Sequence, residues 1–145
     1  MAPETLHITL AFLGAVPAQR LPLLCDIAQA IQAEPFELTL DQAGCWGHNR
    51  VGWLGAQCVP TALADLAGRL AGALSGAGFA LDARAFTPHV TLLRRAQCTA
   101  PPAIVPIVWP VTAFALVASV TEANGARYRI LAEWPLRSGS PAPGA

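Results

Sequence analysis

An α+β fold, with antiparallel sheets lining a cleft and helices outside, is predicted for this 145-residue chain by three observations. Two segments carry apolar residues at helical spacing, and six shorter runs have strand character. They follow in the order strand, helix, strand, strand, helix, strand, strand, strand, which favours segregated helices and antiparallel pairing. Finally, a His-x-Thr-Leu strand occurs once before the first helix and once after the second, at positions 7 and 89, which are 82 residues apart. Two similar lobes meeting at a cleft would place one copy on each wall.

The elements justify themselves in order. Residues 6–13 form a continuous aliphatic and β-branched run stopped by Gly14 and Pro17, and so predict a buried strand. Residues 20–33 place Leu21, Leu24, Ile27, Ala28 and Ile31 on one helical face, with Pro35 beyond the end. Residues 36–40 alternate Phe36, Leu38 and Leu40 with Glu37 and Thr39, as a half-buried strand does. Gly44 and Gly47 bracket an expected turn carrying Cys45 and Trp46, and residues 51–54 predict another short strand. A second helical stripe, Leu63, Leu66, Leu70, Ala73 and Leu74, covers residues 61–74 and ends at the glycines of positions 75–78. The second histidine strand follows at 86–94, then a proline-rich connection at 99–110. Residues 103–118, the richest apolar stretch, read as buried strand with a lead-in marked by Pro106 and Pro110. Strands at 111–120 and 127–134 are joined around Asn124-Gly125, a hairpin signal. One domain over 1–137 is expected, with a Ser, Gly, Pro and Ala tail at 138–145 disordered.

Composition limits the function. No apolar run reaches the roughly 18 residues of a membrane helix, and the N-terminus lacks a basic-then-apolar signal pattern, so a cytoplasmic location without membrane contact is expected. Formal charge is zero, which removes a global field for long nucleic acid and leaves phosphate recognition to local groups. All nine basic residues are arginines, each a planar fork suited to phosphate oxygens. Cys25, Cys45, Cys58 and Cys98 are irregularly spaced and expected to be free thiols. Cys45-x-x-His48 has no matching second half, so neither zinc nor another cofactor is expected. Neither a Gly-x-Ser-x-Gly elbow nor a phosphate-binding Gly-x-x-x-x-Gly-Lys loop is present.

The two motifs carry the chemistry. Side chains alternate along a strand, so His7 and Thr9 face one way while Leu6, Ile8 and Leu10 face the other; His89 and Thr91 repeat this against Val90 and Leu92. Opening a cyclic phosphodiester needs a base for the attacking water and an acid for the departing oxygen, and histidine can be either. A threonine two residues on supplies a stiffly held hydroxyl for a phosphate oxygen. A lone histidine in an apolar strand is more often packed or simply exposed than catalytic. Here two of only three histidines share one four-residue pattern, which makes coincidence the poorer account. Trp46 and His48 lie where an aromatic ring could stack on a base, although packing on the core is the more ordinary role for a loop tryptophan. Phe12, opposite in parity to His7, is expected in the core.

His7-Ile8-Thr9-Leu10-Ala11-Phe12-Leu13-Gly14 and Phe86-Thr87-Pro88-His89-Val90-Thr91-Leu92-Leu93-Arg94 resemble the paired signatures of the 2H phosphoesterases. The branch most resembled is the bacterial RNA 2',3'-cyclic phosphodiesterases, also called 2',5'-RNA ligases. Trp53-Leu54-Gly55, the run from Phe114 to Ser119, Gly125, Tyr128 and Trp134-Pro135-Leu136 extend the likeness over nearly the whole chain. The resemblance implies a bilobal fold with a central cleft, no metal, and hydrolysis of RNA 2',3'-cyclic phosphate ends to 2'-phosphates, with reversible 2',5' RNA ligation as a side activity. It assigns His7 as proton donor and His89 as acceptor. It places Thr9, Thr91 and Arg94 on the phosphate.

Strand parity favours Arg95 over Arg94, because Arg95 is in phase with His89 and Thr91; a bulge or bend near Leu93 would reconcile Arg94 with the cleft. Rival readings are a relative acting on a small cyclic nucleotide phosphate and a nucleotide- or RNA-binding module without turnover. Members of this branch usually carry a strand and helix before the first motif, whereas Met1 stands six residues before His7. An uncovered sheet edge, and self-association through it, is the expectation that follows.

Overall fold

A computed structural model describes residues 6–81, 86–98, 103–123 and 125–137. Helix α1, Leu21–Ala30, follows a 3-10 turn at Ala18–Arg20 and starts with Pro22 in its first turn, where the missing N–H costs nothing. It buries Leu24 and Ala28, one turn apart on the predicted face. The helix ends earlier than its apolar spacing predicts, because Ile31 turns extended. Tertiary bonds hold that exit: Arg69 Nη1 donates to the Gln32 carbonyl and the Arg137 amide to that of Ala33.

Helix α2, Thr61–Gly76, buries Leu63, Leu66, Ala67, Leu70 and Leu74. Its C-terminus closes with Gly78 at φ +90°, where the Phe79 amide donates to Leu74 O and the Gly78 amide to Ser75 O. This 6→1 and 5→2 pattern needs a residue that tolerates left-handed backbone, hence glycine. Arg20 then lies 3.9 Å over the Phe79 ring and donates to the Ala77 carbonyl at 2.7 Å, docking the start of α1 on the end of α2.

All pairing is antiparallel. Strand β1, Phe36–Leu40, pairs with β5, Ile107–Val111. Strands β2, Gln42–Trp46, β3, Val51–Gly55, and β4, His89–Leu93, form the sheet that carries the second motif. Strands β6, Ala113–Glu122, and β7, Gly125–Pro135, form a long hairpin. Two apolar clusters hold these layers. One joins Leu24, Leu66, Leu70, Leu74, Phe79 and Leu136; the other joins Leu38, Leu40, Leu63 and Val90. Helix α2 contributes to both, so it fastens the helical layer to the sheets.

Several expectations need correction. Residues 6–13 do not form a buried strand; they run extended with a single antiparallel bridge, Ile8 to Val90, and bend at Leu10. Alternation is lost past the bend, and Phe12 is 70% exposed rather than in the core. Cys45 and Trp46 are in strand β2 rather than a turn, because the chain reverses only after Trp46. Residues 107–110 belong to β5, not to a connection. This strand is not buried, with Ile107 and Val108 both exposed. Pro110 is accommodated because a two-stranded ribbon leaves free edges where no donor is needed.

Two of the four cysteines are not free thiols: Cys45 and Cys98 form a disulfide with Cα atoms 5.5 Å apart, while Cys25 and Cys58 are free. Their separation of 53 residues gave no sign of this, since the β2–β3–β4 pairing is what brings them together. Asn124, residues 99–102 and the tail at 138–145 lie outside the described residues. Among the described residues no helix is long and apolar enough to cross a membrane.

Candidate active site

Register builds the site. Val90 of β4 pairs with Leu54 on one side and bridges to Ile8 on the other. Carrying the Ile8–Val90 register one residue each way sets His7 across from Thr91 and Thr9 across from His89. The two motifs are thus related by a local twofold axis through that pair, the physical meaning of the sequence repeat. Both histidines and both threonines share one face, while Ile8, Leu54 and Val90 turn to the core on the other. In this register His7 and His89 are diagonal neighbours, their backbones about 7–8 Å apart by standard sheet spacing, a separation on the scale of a phosphoryl group held between two side chains.

The same face continues onto β3 and β2. Gly55 stands opposite His89 and Trp53 opposite Thr91; beyond them come Gln42 and Gly44. Trp53 lies across both glycines, since a Cβ at Gly44 would meet its ring at 2.3 Å and one at Gly55 at 2.8 Å. Two positions without side chains therefore make room for an indole on the cleft floor. The Trp53 Nε1 is buried with no hydrogen-bond partner, so this residue offers the cleft its ring and not a donor.

Each histidine is held by different neighbours. His89 is half-buried, and its Nδ1 lies 2.8 Å from the Thr87 carbonyl oxygen. A carbonyl can only accept, so Nδ1 carries the hydrogen and Nε2 is left for proton exchange. Trp46 packs edge-on against His89, with ring centroids 4.6 Å apart. His7 is exposed and packs edge-on against Tyr128 of β7 at 5.0 Å. The packing of Trp46 and Tyr128 against the histidines was not foreseen from the sequence. The sequence offers Trp46 as a ring that could stack on a base and Tyr128 as part of the family likeness, and neither signal points to a histidine neighbour.

Thr9 is exposed and Thr91 half-buried, both in phase with the histidines. A bulge in β4 bears on the parity difficulty at Arg94. Thr91 pairs with Trp53 but Leu93 pairs with Gly52, so Leu92 is an extra residue in β4, a bulge beside the expected position. Leu93 then shares a side with Gly52, where an added Cβ would lie 3.5 Å from the Leu93 Cβ. Were the alternation to continue past the end of β4, the next residue, Arg94, would return to the phase of His89 and Thr91. Arg95 takes φ +57° in the turn that follows. That turn is tied to the β2–β3 turn by two bonds, Ala96 N to Arg50 O at 2.8 Å and Arg50 Nε to Ala96 O at 3.1 Å, and by the Cys45–Cys98 disulfide.

An apolar cavity of about 270 Å³ is lined by Leu6, His7, Leu40, Leu54, Val90, Leu92, Ile107 and Trp109, several of them from the core-facing side of the strands. It offers proton transfer nothing beyond that one imidazole. No cluster of three or more His, Cys, Asp or Glu side chains placed to hold a metal occurs among the described residues.

Comparison with known proteins agrees with this geometry. The model of the 2'-5' RNA ligase superfamily matches residues 2–123. An RNA 2',3'-cyclic phosphodiesterase of Escherichia coli K12 is 41% identical over 138 residues, covering 94% of this chain and 78% of that protein. One from Thermus thermophilus is 30% identical over 151 residues, covering 93% and 74%. Among solved structures, E. coli LigT complexed with 3'-AMP superposes with a TM-score of 0.87 at 40% identity, covering 94% of this chain and 80% of LigT. The paired motifs, the antiparallel α+β architecture and these matches lead to one conclusion: the chain belongs to the 2'-5' RNA ligase superfamily of 2H phosphoesterases.

Proposed function

We propose that this protein hydrolyses RNA 2',3'-cyclic phosphate ends to 2'-phosphates by two-histidine acid-base catalysis. The observation that carries the reading is the Ile8–Val90 bridge, which puts His7, Thr9, His89 and Thr91 on one face in antiparallel register. His89, with Nδ1–H turned to the Thr87 carbonyl, presents Nε2 as acceptor for the proton of the attacking water. The water oxygen forms the new P–O bond as the P–O3' bond breaks, and His7 delivers a proton to the departing 3'-oxygen. Thr9 and Thr91 donate to the non-bridging oxygens. Arg94 neutralises the charge gathering on them. With an RNA 5'-hydroxyl in place of water as nucleophile, the same forward steps join RNA halves by a 2',5' bond, and their reversal cleaves that bond and re-forms the cyclic phosphate. Naming of the E. coli and Thermus relatives as RNA 2',3'-cyclic phosphodiesterases supports the substrate class.

The test is hydrolysis of an oligonucleotide ending in a 2',3'-cyclic phosphate, with 2'-phosphate as the expected sole product. A 3'-phosphate product would reverse the assignment of leaving oxygen, and absence of turnover on both this oligonucleotide and a cyclic mononucleotide would leave a binding module. Self-association also belongs to this reading. Val105 is 84% exposed and Val108, in β5, 56%, and among the described residues β5 pairs with β1 alone. Light scattering should show mass rising with concentration; a monomer at every concentration would count against it.

A further inference from the structure

We propose that the Cys45–Cys98 disulfide is a thiol-exchange site that sets how firmly the cleft holds phosphate: reduction by a dithiol frees the strap carrying Arg94 and weakens binding there. This rests on the reading of Arg94 as a phosphate ligand and adds a chemical control to it. Position comes first. Cys98 stands four residues after Arg94, and Cys45 directly before Trp46, whose ring packs on His89 at 4.6 Å. The bond therefore joins the strap at 94–98 to the end of β2, at the indole wall of His89. Strand β4 ends at Leu93, so Arg94 lies past the ladder and within that strap.

The remaining hold on the strap is slight. Arg94, Arg95, Gln97 and Cys98 are exposed and Ala96 is half-buried, so the strap is not anchored in either apolar cluster. Hydrogen bonds between Arg50 and Ala96 tie its middle to the β2–β3 turn, and the side-chain one is exposed to water. With the disulfide closed, both ends of the strap are fixed, one by β4 and the other by Cys45. Once it is opened, the far end is released, and the guanidinium must be ordered again each time phosphate binds, which lowers affinity. Neither cysteine belongs to the buried clusters, so the fold itself stays in place.

The exchange is reachable and balanced. Cys98 is exposed and Cys45 half-buried, so a thiolate of the dithiol attacks Cys98 Sγ; the S–S bond breaks and its electron pair leaves on Cys45 Sγ, which takes up a proton. The second thiolate of the dithiol then displaces Cys98 Sγ, which is protonated in turn. Two protein thiols and one cyclic disulfide result, the dithiol having given up two electrons and two protons.

The test compares the oxidised chain with the chain treated with dithiothreitol. Alkylation in denaturant, read by mass, should count two thiols before reduction and four after it, with the circular dichroism of the folded chain retained throughout. Isothermal titration with 2'-AMP, which needs no turnover, should show binding about 5- to 10-fold weaker in the reduced form, part of what losing a charge-assisted arginine contact removes altogether. In Cys98→Ser the affinity should sit at the reduced value and ignore dithiothreitol. In Arg94→Ala, reduction should change affinity by less than about twofold, because the two changes act through one contact. Four thiols with unchanged affinity, a disulfide that resists dithiothreitol, loss of the folded spectrum, or an undiminished response in Cys98→Ser or Arg94→Ala each overturns the proposal. Should Cys98→Ser not fold, Cys45→Ser opens the same bond from its other end. Failure of 2'-AMP to bind even the oxidised form would remove the phosphate reading of the cleft and the coupling with it, while the thiol count would still report whether the pair exchanges.

Discussion

The two His-x-Thr segments are near copies in sequence and unequal in structure. The second is a full strand, β4, paired on one side with β3 and anchored by a buried Val90. Its histidine has a fixed tautomer through Thr87 and an indole wall. The first is an extended run with one bridge, an exposed Leu6 and an exposed histidine that leans on Tyr128 from a different sheet. One pattern therefore supplies chemically equal groups with different degrees of positioning. A proton acceptor must meet a small, mobile water at a defined angle, and the proposed mechanism gives that task to the better-held imidazole.

Removing the two imidazoles gives the largest effect. His7→Ala and His89→Ala should each lower the hydrolysis rate by about 10²- to 10⁴-fold, the usual worth of a positioned acid or base. Single-turnover assays on folded variants check this, and near-wild-type rates in either would remove the symmetric site. Next in size is the covalent tie that only the second segment possesses. Cys98→Ser should reduce the stability to chemical denaturation by about 2–4 kcal/mol, typical of a disulfide closing a loop of this kind. Hydrogen exchange should quicken around residues 94–98 while the segment around Ile8 is unchanged. Faster exchange spread evenly over both segments would show that the tie does not act locally.

The arginines sharpen the comparison further, because of the two motif segments only the second is followed by an extra residue, at Leu92, just before an arginine. Arg94→Ala should lower kcat/KM by about 10- to 100-fold, the loss of a charge-assisted contact to phosphate, whereas Arg95→Ala should stay within about twofold. A larger loss at Arg95 would mean that the turn, and not the bulge, aims the phosphate ligand.

Much of this was legible in the residues themselves. The alternation of Phe36, Leu38 and Leu40 gave β1 with its bounds, and the leucine stripe gave α2 to within two residues, because both follow from local periodicity and a stop signal. The paired motifs marked the candidate site for the same reason: parity along a strand is a local property. Phe12 failed because its parity held only while the chain stayed straight, and the bend at Leu10 ended that. The strand character of residues 107–110 was hidden by Pro106 and Pro110, which read as breakers until an edge position made them tolerable.

By itself the sequence determined which side chains could do chemistry and which face of each strand they share, since both depend on residue type and a period of two. Tertiary structure alone decided what stands across from what. The antiparallel order placed His7 against Thr91, Trp53 beside Thr91 and Cys45 against Cys98, and put one extra residue, Leu92, just before Arg94. Such pairings join residues tens of positions apart, and the register between them is fixed by the collective burial of Ile8, Leu54 and Val90, a property of the packed layers that no single segment carries.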